Sequence, residues 1–457
     1  MAKYDVAVLG AGPGGYVSAI RAAQLGAKVC IIEKRHLGGV CLNRGCIPTK
    51  IYLHATDLLR EGNSAADYGI TFGKPKIDYT KLNKTRDKII GGLVKGVAGL
   101  LKKNNIDLFE GFGSFESTHT LKIETEGGQE KVTASNIIIA TGSEAARPKV
   151  FPFDDEKIVT SDGILQLDHL PESLLVVGGG YIGCELGGFF NLMGTKVTIV
   201  EMLDQILPMM DADVAAYLTR EYKKRKLDVL TSSKVEDLKA TGKGVSCKVG
   251  DQTLEAELAL VSIGRSLNSD IPGLAETGIK MDRGAIIVDD QCRTSVDGIY
   301  AIGDVTGKIQ LAHVASAQGI VAAENITGHP RRMNYRAVPS VFFTHPQIAG
   351  VGMTENEATA EQIDFKASVF QLRALGKAHV IGDTGGFVKM VGHAKTGELL
   401  GCQIVGPMAT ELIQEATVAI QLQSTIEELA HTIHPHPTLC ESLMEAAEGW
   451  MGLGIHG

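Results

Sequence analysis

Two copies of one glycine-rich pattern, starting 168 residues apart, constrain this chain more than anything else in it. The first follows the apolar run Val6-Ala-Val-Leu9 as Gly10-Ala-Gly12-Pro-Gly-Gly15, continues through a helix-like segment to Gly26, and closes with Val29-Cys-Ile-Ile32 and Glu33. The second follows Leu174-Leu-Val-Val177 as Gly178-Gly-Gly180-Tyr-Ile-Gly183 and closes with Val197-Thr-Ile-Val200 and Glu201. In both copies the acid lies 23 residues after the first glycine, and Gly26-Ala-Lys28-Val29 is echoed by Gly194-Thr-Lys196-Val197. Each copy predicts a strand, a tight turn, a helix and a second, parallel strand. The glycines let backbone N–H groups approach a pyrophosphate at the helix N-terminus, and the acid accepts hydrogen bonds from a ribose. One such loop is often only a turn. Two at matched spacing predict two dinucleotide sites in one redox enzyme.

Each unit also ends in an apolar strand running into a small-residue turn, Ile137-Ile-Ile-Ala-Thr141-Gly142-Ser143 in the first and Leu260-Val-Ser-Ile-Gly264-Arg265 in the second. These turns are expected to close their own nucleotide domains. Beyond Glu201 the sequence reads Met-Leu-Asp-Gln-Ile, without an arginine for a 2′-phosphate, so the second site is expected to take NAD rather than NADP.

The length of 457 residues calls for several domains. With 44% hydrophobic and 21% charged residues and 54 glycines, the composition suits a glycine-rich globular α/β protein. A net charge of −8 leaves no basic field for nucleic acid. Met1-Ala-Lys leads straight into an apolar strand with no room for a signal segment, so a cytoplasmic or already processed protein is expected. The most membrane-like stretch, 174–194, is crowded with glycines, carries Glu185 and Asn191, and is expected to be strand, turn and helix. No membrane partner is expected.

Eight cysteines occur, and only Cys41 and Cys46 are close in sequence, within Gly38-Gly-Val-Cys41-Leu-Asn-Arg-Gly-Cys46-Ile-Pro-Thr-Lys50. That is no secreted disulfide framework; a lone close pair reads as catalytic or metal-binding. Zinc lacks a second Cys/His pair, and no metal is expected. A structural disulfide stays open. On one helix the two would sit at i and i+5, and a distorted first turn at Gly45 is expected to bring them within disulfide range. A helix N-terminus would favour the thiolate. Lys50 brings a positive charge towards the same place; an ordinary surface lysine is the alternative. Near the C-terminus, His434-Pro-His436-Pro-Thr-Leu-Cys-Glu441 sets histidines ahead of a carboxylate, as a general base needs or as a capped turn provides.

The cysteine run, the two glycine turns, the segment Thr294…Tyr300-Ala-Ile-Gly303-Asp304 and His436-Pro-Thr-Leu-Cys-Glu441 together resemble the pyridine nucleotide-disulfide oxidoreductase family over essentially the whole chain, most of all its dihydrolipoamide-oxidising branch. The resemblance implies an α/β fold with two Rossmann-like domains, one for FAD and one for NAD, and a C-terminal α+β dimerisation domain. The divisions expected are 1–147 for the first part of the FAD domain, 148–272 for NAD, 273–337 completing the FAD site, and 338–457 for dimerisation.

For FAD the resemblance implies Gly10, Gly12, Gly15, Glu33, Lys50, Gly113, Thr141, Gly142, Ser143, Ala312 and Asp304, the last on the ribityl chain. For NAD it implies Gly178, Gly180, Gly183, Glu201 and Gly264, with Glu185 facing Lys50 and gating the nicotinamide; an ordinary helix carboxylate is the alternative. It selects His436 over His434 as the base, backed by Glu441 and acting on Cys41 and Cys46 of the other subunit of a homodimer. The implied reaction oxidises protein-bound dihydrolipoamide, passing electrons through Cys41/Cys46 and FAD to NAD. The implied partner is a lipoyl-bearing acyltransferase of a 2-oxoacid dehydrogenase complex or a glycine-cleavage carrier protein. A glutathione-reducing relative would want a basic group for NADP, and a mercuric-ion relative a terminal cysteine pair, which residues 451–457 lack. Four positions depart from the branch: Arg44, Thr49, Gln318 and Cys440. Arg44 is expected to act on the thiols or the substrate.

Overall fold

The computed structural model describes residues 2–456. The strand Ala2–Leu9 is buried along Val6–Leu9 without alternation, as a parallel strand covered on both faces must be. It lies between Val29–Glu33, with Val6 opposite Val29, and Gly128–Ile139, with Val6 opposite Asn136. Asp107–Glu110 extends the sheet on one side, and the antiparallel strands Phe112–Ser117 and Thr120–Thr125 extend it on the other. The short strand Ile299–Ala301 also joins Gly128–Ile139, so the chain returns to its first sheet after building its second.

The second unit repeats the plan. Ser173–Val177 sits between Lys196–Val200 and Leu258–Val261 in a five-stranded parallel sheet, flanked by Asp228–Leu230 and Ile158–Val159. The apolar stretch 174–194 resolves into the strand Ser173–Val177 and the helix Tyr181–Leu192, as its glycines and Glu185 predict. No helix among the described residues is long and apolar enough to cross a membrane. The third sheet is antiparallel, with five strands between Ser340–Phe342 and Phe365–Gln371, packed against the helices Ala409–Gln421 and Glu441–Met451.

The two exit turns, expected to close each nucleotide domain, also pair with one another. Ser143–Ala145 pairs antiparallel with Arg265–Leu267, Ser143 opposite Leu267, so each turn satisfies the other's backbone groups. Thr141 and Asn268 add a reciprocal pair, the Thr141 hydroxyl donating to the Asn268 carbonyl at 2.7 Å and the Asn268 amide to the Thr141 carbonyl at 2.9 Å.

The third sheet is tied to the second unit by a buried lysine. Lys389 lies 2.7 Å from Asp213, 2.7 Å from Glu355 and 3.3 Å from the buried Asp211, which also accepts from the Gln403 amide at 2.6 Å. Removing one member of a buried ion pair strands the other's charge, at about 3–5 kcal/mol. Lys389→Ala is therefore expected to lower the melting temperature measured by calorimetry; a variant melting with the parent would show that this contact does not hold the units together.

Candidate active site

The first glycine turn is closed by backbone contact. Gly10 has a φ of +105°, and a Cβ at Gly15 would lie 1.9 Å from the Gly10 carbonyl oxygen, so no side chain fits where strand meets helix. Glu33 accepts from the Ala11 N–H at 2.7 Å and the Arg35 N–H at 2.8 Å. The second turn repeats this: Gly178 has the same φ of +105°, a Cβ at Gly183 would lie 2.0 Å from the Gly178 carbonyl oxygen, and Glu201 accepts from Gly179 at 2.6 Å and Leu203 at 2.8 Å. Each carboxylate keeps lone pairs for ribose hydroxyls.

One cavity runs from the first turn to the cysteines. Its walls include Gly10, Gly12, Glu33, Gly113, Thr141, Gly142, Ser143, Asp304 and Ala312, and at the far end Cys41, Cys46, Lys50 and Glu185. Gly15 lies behind the wall, packed on Gly10. Gly178, Gly180, Gly183, Glu201 and Gly264 stand apart from this cavity, although the helix after the second turn supplies Tyr181, Glu185 and Leu186 to it. A long dinucleotide with its pyrophosphate at the Gly10–Gly15 turn and its ring by the cysteines fits these walls. Asp304 is positioned by the Ser143 hydroxyl, which donates to it, and Arg265 donates to the same hydroxyl at 2.7 Å.

The cysteines sit on two helices rather than in one distorted turn. Cys41 lies within the helix Gly39–Arg44, and Cys46 opens the helix Cys46–Ser64. Gly45 between them, at φ −139° and ψ −104°, is far from helical geometry and ends the first helix. The break puts Cys46 at a helix N-terminus and close enough to Cys41 for the two thiols to act on one another. Both are free thiols here. Their acidities diverge: the bond from Cys41 pulls the Cys46 thiol below its usual range, with Lys50 helping against burial, while the same bond and burial push Cys41 up.

Lys50 reaches Glu185 at 2.8 and 3.0 Å. Glu185 is 3% exposed, which a carboxylate tolerates only when paired. It also accepts from the Phe343 N–H at 2.9 Å, and Lys50 Nζ lies 4.5 Å from the centre of the Phe343 ring.

His436 and Glu441 are brought together, His436 Nδ1 donating to Glu441 at 2.8 Å. Burial opposes ionisation of Glu441, but the Thr438 N–H at 2.8 Å and His436 hold its carboxyl below the usual range. His436 is 77% exposed at its side chain, and neither it nor Glu441 lines the cysteine cavity of the same chain.

Residues 4–319 match the family model described as pyridine nucleotide-disulphide oxidoreductase, and residues 338–447 match that family's dimerisation domain. The chain belongs to this family. The pyridine nucleotide-disulphide oxidoreductases it resembles include dihydrolipoyl dehydrogenases from Geobacillus stearothermophilus, 43% identical, and Bacillus subtilis, 41% identical, each alignment covering 99% of this chain and 97% of the relative. Among solved structures, LpdA from Mycobacterium tuberculosis superposes with a TM-score of 0.91 at 30% identity, covering 98% of this chain and 99% of LpdA. The flavoprotein disulfide reductase RclA from Escherichia coli gives 0.89 at 27%, covering 98% and 99%.

In this pyridine nucleotide-disulphide oxidoreductase, Arg44 lines the cysteine cavity but is not the cation that acts on the thiols. It is held by Asp162 at 2.5 Å, and the cation acting on Cys46 is Lys50. Thr49 donates to the Gly45 carbonyl at 2.7 Å, fixing the helix break. Gln318 is fully buried, accepting from the Gly303 N–H at 2.6 Å and donating to Tyr335 at 2.9 Å. Cys440 is half-buried, and burial raises its thiol. Sequence reasoning missed Tyr16, whose hydroxyl is raised by burial and then by nearby Cys41, and Tyr181 in the cavity wall. Spacing alone does not distinguish either from a core aromatic.

Lys50 lowers the Cys46 thiol and Glu185 raises it. Lys50→Met in the reduced protein is expected to move formation of the first thiolate to higher pH, followed by thiolate absorbance or iodoacetamide labelling. An unmoved titration would show that Lys50 does not act on Cys46.

Proposed function

We propose that this chain oxidises dihydrolipoamide to lipoamide, with electrons leaving through the Cys41/Cys46 pair and FAD to NAD. The observation that carries this reading is the thiol pair of unequal acidity, at the end of a dinucleotide-shaped cavity and beside the Lys50–Glu185 pair. Full-length identity of about 40% to dihydrolipoyl dehydrogenases supports the substrate.

With Nδ1 bonded to Glu441, His436 keeps Nε2 free to take the proton of a substrate thiol. Glu441, held below the usual carboxyl range, stays ionised and stabilises the imidazolium. The substrate thiolate attacks Cys41 of the oxidised pair, breaking the disulfide and releasing Cys46 as a thiolate that Lys50 favours. The second substrate thiol displaces Cys41, closing the lipoyl disulfide and leaving the enzyme dithiol. Bound FAD and NAD supply the two-electron relay from that dithiol. Gly10, Gly12, Gly15 and Glu33 would hold the pyrophosphate and ribose of FAD, with Thr141, Gly142, Ser143, Asp304, Gly113 and Ala312 along its length. Gly178, Gly180, Gly183, Gly264 and Glu201 would hold NAD, Glu201 repelling a 2′-phosphate.

The working unit is a homodimer, in keeping with the dimerisation domain, in which His436 of the partner subunit serves the cysteines of this one. The partner protein carries a lipoyl arm, on an acyltransferase core or a glycine-cleavage carrier. The divisions proposed are 1–147, 148–272, 273–337 and 338–457, and the return of Ile299–Ala301 to the first sheet supports joining 273–337 to the FAD unit. Eight cysteines with a single close pair, and no spacing of a secreted disulfide framework, suit a reducing compartment such as the cytoplasm.

The purified protein is expected to show a flavin spectrum and to turn over dihydrolipoamide with NAD. Cys46→Ser should abolish that turnover, and His436→Gln should lower kcat by about 10²–10⁴-fold. A colourless protein, or turnover indifferent to Cys46→Ser, would sink the reading. Titration with both nucleotides is expected to favour NAD; a preference for NADP would overturn only the role of Glu201.

A further inference from the structure

The loop that carries His436 contains a second histidine–carboxylate pair that the mechanism does not use. His434 is 3% exposed at its side chain. Its Nδ1 lies 2.7 Å from the Thr432 carbonyl and its Nε2 2.7 Å from Glu415. A carbonyl only accepts, so Nδ1 carries a proton. Nε2 must then donate to an ionised Glu415 or accept from a protonated one.

Glu415 stands on the helix Ala409–Gln421, whose Leu412, Ile413 and Ala416 are buried in the third core. His434 therefore ties the loop's beginning to a rigid helix. The loop's end is tied by Glu441, which accepts from the Thr438 N–H, and by the Thr438 hydroxyl, which donates to the Pro435 carbonyl at 2.7 Å. His436 lies between these anchors, flanked by two prolines, with its ring largely in solvent. Its own side-chain bond is to Glu441. Packing does not place so exposed a ring; the loop beneath it must.

We propose that His434 and Glu415 form a positioning pair that fixes His436 against Glu441 and sets its aim at the substrate thiol. The inference rests on the dihydrolipoamide reading above. Neither residue lines the cysteine cavity of the same chain, so the pair is assigned to act through His436. The two pairs are also within electrostatic reach: His434 contributes to the lowering of Glu441, and Glu415, after burial, to the raising of Cys440.

The test uses full-length protein with flavin bound and the variants Glu415→Ala, Glu415→Gln and His434→Gln. A loosened base costs rate more than binding. Glu415→Ala is therefore expected to lower kcat for dihydrolipoamide and NAD about tenfold with KM within about twofold of the parent, and Glu415→Gln, whose amide N–H can donate to the unprotonated Nε2 of His434, to recover to within about threefold. His434→Gln should resemble Glu415→Ala. NADH oxidation by ferricyanide, which bypasses the base, should be unchanged in all three. Parental kcat in Glu415→Ala, or equal losses in the ferricyanide reaction, would overturn the positioning role. Absence of dihydrolipoamide turnover in the parent would instead overturn the functional reading itself.

Discussion

The carboxylate of Glu185 is where three parts of this chain become one site. It is nearly buried, and it accepts from Lys50 on the cysteine-bearing helix and from the backbone of Phe343 at the edge of the third sheet, while itself standing on the helix of the second glycine turn. A carboxylate so desolvated is tolerable only with both partners in place. Its pairing therefore fixes the cysteine helix against the second unit and the second unit against the third. It also sets the electrostatics of the thiols: Lys50 and Glu185 act on Cys46 in opposite senses, and the bond from Cys41 carries the balance towards the thiolate. The same contact joins the domains and tunes the chemistry.

The two nucleotide turns share their backbone constraints, and the long cavity that ends at the cysteines opens from the first. The second unit contributes Tyr181, Glu185 and Leu186 from the helix Tyr181–Leu192, and Arg265 and Leu267 from the paired exit turn, to the wall of the cavity that ends at the cysteine pair. The pairing of the exit turns therefore makes the second unit part of the first unit's site.

Much of this was legible in the sequence because glycine and carboxylate requirements are local. A Cβ at Gly15 or Gly183 collides with backbone five residues earlier, and Glu33 and Glu201 bond within their own turns, so spacing alone marks them. The Cys41/Cys46 pair and the His436–Glu441 pair were visible for the same reason. What was not legible depends on contacts more than a hundred residues apart. Arg44 is engaged by Asp162, Ser143 by Arg265, and the exit turns by each other. The helix break at Gly45 was half seen: its glycine was noticed, but two separate helices were not, because a conformation with negative φ and ψ of −104° leaves no composition signal.

The separation of His436 from the cysteine cavity gives the assembly its logic. A general base 77% exposed to water would be poorly placed for proton transfer from a thiol, since water competes for its free nitrogen and screens its charge. The same domain also exposes large apolar side chains: Ile433 is 95% exposed three residues before His436, Val418 is 49% exposed on the helix of Glu415, and Leu422, just past that helix, is 71% exposed. Large apolar groups gathered on a dimerisation domain are what an interface buries. Covering that surface with a second copy would dry the base in the same step that brings it to the partner's thiols. In this reading the chain leaves its base in the open because catalysis is completed by association, and the rigid anchoring of the loop is what allows two separately folded halves to meet in register.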